Sequence, residues 1–324
     1  MFGHCLIRIV HYILALRREH PHKRIFMSKV DYKSAYRKSH LNWETAIQSM
    51  TQLNGYLRAT FGGTSCPYDW ITISEAIMDL ANMLLNNPEW NGSTLRSSLW
   101  HLIPKDATLP DDITFAQALP AVISPLVGCC SKADVYIDNT TTITVDDSIN
   151  LQRAQATVPL AIQFLGRPLS QDELIPRKYL ISENKLIAGW ALEEIKVDLG
   201  RLFGTRRLLL ALKDKKCTAW SRSMHTIIKK GWIDHDEFDT RIGWCTHIAV
   251  VLKNILLFLS RLHSLKFIAT PRRQVKALPK QMDDLKLALR FLQRANQGLS
   301  INYISYISPT RCYRANACPW RICG

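Results

Sequence analysis

Leu6, Ile9, Val10, Ile13 and Leu14 recur at the three-and-four spacing of an α-helix, and Pro21 stands just past the point where that helix must end. Arg8 and His11 interrupt the run, which is too short and too broken to span a membrane. A second helical pattern, Ile71, Ile77, Leu80, Ala81 and Leu84, predicts a helix over 71–85 packed under a sheet. The sheet itself shows as a period of two: Ala133, Val135 and Ile137 alternate with Asp134, Tyr136 and Asp138, and the alternation resumes at Ile143 and Val145. Such a break between two alternating runs predicts a hairpin. Between these segments, Asn86 to Asp112 carries Asn87-Pro88, Asn91-Gly92, Pro104 and Pro110, which are turn signals, and reads as an insertion.

Further along, Trp244, Ile248, Val251, Ile255, Leu259 and Leu262 form one helical stripe, with Lys253, Asn254, Ser260 and Arg261 opposite. Met282 to Gln297 predicts another helix, capped by Gly298. Leu299, Ile301 and Tyr303 then alternate as a strand would. The whole is an α+β pattern.

At 324 residues and 47% hydrophobic, the chain can bury a real core divided among two or three subdomains. Nine cysteines, two of them adjacent at Cys129 and Cys130, form no paired framework, which points to a reducing, intracellular compartment. Arg17, Arg18 and Lys23 follow the first apolar run where a secretory signal needs small residues, so secretion is not expected. Charge is the more telling property. Residues 1–175 hold 15 basic against 16 acidic side chains, whereas 176–280 hold 21 against 9, so almost all of the net +15 sits in one segment. Arg206, Arg207, Lys213, Lys215 and Lys216 crowd its first half, and a cluster of that kind suits sequence-independent contact with phosphates.

The chemistry concentrates in Lys29 to His40, KVDYKSAYRKSH, where one carboxylate, Asp31, ends an apolar strand. Two-metal nucleotidyl transfer needs an acidic group at such a rigid position to hold Mg²⁺ against a triphosphate. Two further blocks follow in order: LRATFGGTSCP (Leu57 to Pro67), whose glycines let backbone approach a ligand closely, and VYIDN (Val135 to Asn139) at the hairpin. Taken together, the ordered set resembles the reverse transcriptases of eukaryotic retroelements, over nearly the whole chain and including Glu194 to Lys216 and Asn296 to Gly324.

That resemblance implies a right-hand polymerase: an antiparallel palm sheet with helices on one face over 26–175, a helical basic thumb or connection region over 176–295, and the start of a ribonuclease H-like domain over 296–324. Residues 1–25 would be what remains of the region before the palm. It further implies that Asp31 and Asp138 ligate Mg²⁺, that Tyr36 gates the sugar of an incoming dNTP, and that Phe61, Gly62 and Gly63 shape the nucleotide pocket. The partner would be an RNA or DNA template-primer duplex.

The departures are as specific. Asn139 stands where the family has a second Asp, and an amide brings a carbonyl oxygen but no charge. In CYRANACPWRICG (Cys312 to Gly324), Asn316 replaces the first metal-binding Asp of the ribonuclease H domain, and the sequence stops before its other carboxylates. With a short segment before Asp31 in place of fingers, the expectation is a catalytically silent relative. The rival expectation is a non-catalytic nucleic-acid-binding protein that uses the basic region.

Overall fold

The computed structural model describes residues 5–33, 66–91, 113–119, 128–166, 181–233, 235–249, 252, 255, 262, 275–276, 278–304, 316–317 and 322–323. They form a mixed α+β fold with antiparallel sheets. Helix α1 (Cys5–Glu19) buries the apolar stripe that its sequence predicts. It leads into a three-stranded sheet of β1 (Ile25–Asp31), β2 (Ser131–Tyr136) and β3 (Asn139–Val145), in the order β1-β3-β2. Ile25 lies opposite Val145, and Asp31 opposite Asn139.

Alternation along these strands sorts their side chains onto two faces. Phe26 and Val30, with Ala133 and Val135, pack against α2 (Cys66–Leu85) and α3 (Ser148–Gly166). Ile25, Met27, Ile143 and Val145 pack on the other side against α1 and against Phe203, Leu208 and Leu210. The expectation of helices on one face is therefore corrected: α1 covers the second. That face is as apolar as the first, and each large side chain buried there contributes about 1.5–3 kcal/mol. Thr140 and Thr144 stay satisfied at depth through the Val30 carbonyl (2.6 Å) and the Ser131 hydroxyl (2.7 Å).

Two side chains repair gaps that the backbone leaves. Pro159 inside α3 has no N–H to give the carbonyl of Gln155, one turn back. The Trp190 indole supplies the missing donor at 2.9 Å. On β2, the Asn82 carboxamide from α2 donates to the Ala133 carbonyl at 3.0 Å and accepts the Ala133 N–H at 2.9 Å.

After α4 (Glu183–Gly189), a second sheet forms from β4 (Ile195–Asp198), β5 (Arg201–Gly204) and β6 (Leu209–Leu212). Helices α5 (Asp214–Lys230) and α6 (His235–Ala249) follow, separated by β7 (Trp232–Ile233), which pairs with β8 (Val275–Lys276). With α7 (Pro279–Gln297) they bury Met224, Ile227, Ile248, Leu285 and Leu292 in a core of their own. Ile255 and Leu262, from the stripe predicted after Trp244, join that core. Gly298 ends α7 at φ 83°, and a Cβ there would meet the Leu209 side chain at 2.8 Å.

The strand predicted over 299–303 is cut short. Leu299 and Ser300 form β9, which pairs with β6, but Ile301–Ile304 turns into a short helix, α8. Burial explains the change, since Ile301 and Ile304, three apart, both enter the core while Tyr303 is exposed. Asn302 anchors the turn by accepting from the Leu119 N–H at 2.9 Å and donating to the Gln117 carbonyl at 3.0 Å. Among the described residues no helix is long and apolar enough to cross a membrane.

Candidate functional site

The register of the first sheet brings Asp31, Asp138 and Asn139 to one end of it. Asn139 pairs with both Asp31 and Tyr136, so Ile137 and Asp138 are the two residues of the hairpin turn. The backbone closes over this end: the Tyr32 N–H donates to the Asp138 carbonyl at 2.9 Å, and the Ser182 N–H to the Asp31 carbonyl at 3.1 Å. Ile137 takes φ 60°, the position of a primed turn where glycine is usual and a β-branched residue is strained. The Trp70 indole holds that conformation by donating to the Ile137 carbonyl at 2.6 Å.

A cavity of about 560 Å³ opens here. Its wall includes Asp31, Asp138, Asn139 and Tyr136 from the hairpin end, with Lys29, Lys185, Arg201 and His247 around them. Two carboxylates thus share this wall with three basic side chains. The Asp31 carboxylate is nearly buried and is met by Lys185 Nζ at 3.2 Å and Lys29 Nζ at 3.7 Å.

Asn139 is bound on one side only. Its Nδ2 donates at 3.0 Å to Asp198, while its Oδ1 is buried without a hydrogen-bond partner. Asp198 is 1% exposed and also accepts from the Thr141 hydroxyl and, at 2.9 Å, from the Leu199 N–H. Burial pushes its carboxyl up from the usual range, against the opposing pull of Thr141, Lys29, Leu199 and Asn139. Sequence reasoning missed Asp198. The available signal was a second short strand, Ile195–Asp198, ending in a carboxylate just as the strand before Asp31 does.

The β4–β5 turn sets the opposite wall. Asp198 pairs with Arg201, leaving Leu199 (φ 46°) and Gly200 (φ 75°) as its two loop residues. Gly200 takes a φ that strains any other residue, and a Cβ there would crowd the His247 ring of α6 at 3.2 Å and displace the flexible end of Lys216 from α5. Arg201 donates to the Leu199 and His247 carbonyls, and burial lowers its pKa to about 10. His247 is pushed down to about 4, first by burial and then by Arg201 and Lys216.

Of the predicted phosphate contacts, Arg207, Lys213 and Lys215 are exposed. Lys216 is half-buried, 5.7 Å from the centre of the Trp220 ring. Trp220 stacks on Trp244 at 5.1 Å, and Arg241 covers Trp244 at 4.7 Å. Arg206 is corrected. It is 1% exposed, and its guanidinium forms a two-pronged bond to buried Glu194 at 2.9 and 2.7 Å, so it does not reach a phosphate.

Tyr36, Phe61, Gly62 and Gly63, and the insertion beyond Asn91, lie outside the described residues. No group of three or more His, Cys, Asp or Glu that could hold a metal occurs among the described residues. The oxygens that suit a hard cation are the carboxylates of Asp31 and Asp138 and the unpartnered Oδ1 of Asn139. Compared with family models and with curated proteins, the chain finds no match.

Proposed function

We propose that this chain is a reverse-transcriptase-like protein of retroelement origin, a polymerase palm with a basic thumb or connection region, in which nucleotidyl transfer is silenced. The observation that carries the reading is the convergence of Asp31 and Asp138, far apart in sequence, at adjacent strand ends on one cavity with Asn139 between them. Mg²⁺ would be held by Asp31, Asp138 and the Asn139 oxygen, and when bound it would neutralise charge on the triphosphate of a dNTP.

This chain's own residues work against that task. Lys29 and Lys185 already counter Asp31, and Asn139 adds no charge, so the cavity attracts a divalent cation weakly. Loss of a single transition-state electrostatic contact commonly costs about a hundredfold in rate. A second reading, nucleic-acid binding without synthesis, is favoured by exposed Arg207, Lys213 and Lys215 on the way to the stacked Trp220–Trp244 pair. The two agree on binding.

Both are tested with a primed template. The purified chain is expected to bind duplex without sequence preference and more weakly as salt rises, with the salt slope falling by about one for each phosphate contact removed. Charge reversal at Arg207, Lys213, Lys215 and Lys216 supplies the removals. No primer extension with Mg²⁺ is expected. Extension abolished by Asp31→Ala would overturn the silent site, and an affinity indifferent to ionic strength would overturn binding.

A further inference from the structure

We infer that Asp198 is a positioning residue that fixes which way the Asn139 amide faces, nitrogen toward Asp198 and oxygen away from it, and that it bars an aspartate from position 139. An ionised carboxylate only accepts hydrogen bonds, so the amide facing it must present nitrogen. Asp198 Oδ1 receives Asn139 Nδ2 at 3.0 Å and the Leu199 N–H at 2.9 Å, and its Oδ2 receives Thr141. Lys29 also favours the charged form of Asp198, against the burial that opposes it. The amide oxygen of Asn139 is thereby turned away, and it is this oxygen that lies buried without a partner. Asn139 lines the cavity and Asp198 does not, so Asp198 acts through Asn139.

An aspartate at 139 would turn an acceptor toward Asp198 in place of the donor that Asn139 supplies at 3.0 Å. Other ionisable groups around Asp198 offer little relief. Lys29 of β1 favours its charge but is shared with Asp31, and Cys5 of α1 stays a neutral thiol, its pKa raised by burial. Asp134, one strand further, is already paired with Arg8 at 2.7 Å. Asp31, opposite Asn139, is a third negative group. Asn139 is on this account the partner that Asp198 requires. The ligand role of its oxygen rests on the function proposed above, whereas the coupling to Asp198 does not.

Thermal unfolding at pH 8 tests the coupling in wild type, Asn139→Asp, Asp198→Asn and the double exchange Asn139→Asp/Asp198→Asn. In the single Asn139→Asp variant two acceptors face each other across the contact that Asn139 Nδ2 fills. The expected result is a melting temperature lower than wild type by about 3 °C or more. The double exchange restores one donor facing one carboxylate and should recover most of the loss at pH 8. Equal stability of Asn139→Asp and wild type at pH 8, or a double variant no better than the single one or unable to fold, would overturn the inference. If only the single variant fails to fold while the double one folds, the inference is supported.

Titration with Mn²⁺ alone, followed by the resonance signal of the free ion, separates the two readings. The double variant places a charge at 139 and should bind Mn²⁺ roughly tenfold more tightly than wild type. Recovery of stability with no gain in Mn²⁺ affinity would overturn the cation reading and leave the Asp198 coupling standing.

Discussion

Glu194 is fully buried beneath two guanidiniums that its own charge only half compensates. Arg206 takes both of its oxygens, and Arg17 lies close enough for Glu194 to favour its charge, although burial still lowers Arg17 to about 10. The two guanidiniums cover the Phe115 ring at 4.7 and 5.0 Å, and Arg17 spends its donors on the carbonyls of Pro21 and Lys23. Removing one partner of a buried pair leaves the other uncompensated, so Glu194→Gln should lower stability by about 3–5 kcal/mol. Urea unfolding at pH 7 measures this, and a loss within error of zero would refute the reading of the pair. The sequence shows Arg206 as a charge within a basic cluster, and nothing local reveals its depth, because its partner Glu194 lies a full hairpin back, just ahead of β4. Asp31, Asp138 and Asn139 were legible for the opposite reason. Their positions follow from the alternation of whole strands, and slipping the register by one residue would exchange the side chains of the two faces and move Asn139 from opposite Asp31.

At the scale of elements, α1 and α7 follow their periodicity and stop signals closely, whereas α8 replaces a predicted strand because burial at a spacing of three outweighs a short alternation. The contact of α6 with the β4–β5 turn was not legible, since it depends on the bare Gly200 and on a histidine with no motif around it. It has a consequence for pH. The folded state holds His247 neutral, with its pKa lowered from 6.5 to about 4. The contribution is therefore complete above the unfolded pKa and is lost as pH falls from about 6.5 toward 4. His247→Gln removes the titration and keeps a donor for the Gly200 backbone, so it should flatten the decline of stability across that window. Urea midpoints at pH 7 and pH 4.5 make the comparison, and an unchanged decline in the variant would refute it.

Across the whole molecule, the two sheets are stitched into one body. Met27 and Glu193 exchange backbone hydrogen bonds at 2.9 and 3.0 Å, and the Thr205 hydroxyl donates to the Ile25 carbonyl at 2.5 Å. Partners so distant in sequence leave no trace in local pattern, which is why the sequence separated into blocks what the fold joins. The far side of the first sheet raises a different matter, that of self-association. β2 is its last strand, and an outermost strand offers its free N–H and C=O groups to any other chain that can pair with it. Asn82 occupies those groups at Ala133 with a single carboxamide, imitating the peptide of a neighbouring strand. Asn82→Leu should keep much of the contact area while uncovering the template. Light scattering at rising protein concentration should then show oligomers in the variant at concentrations where the wild type stays monodisperse. Identical scattering from the two would mean that the amide guards nothing.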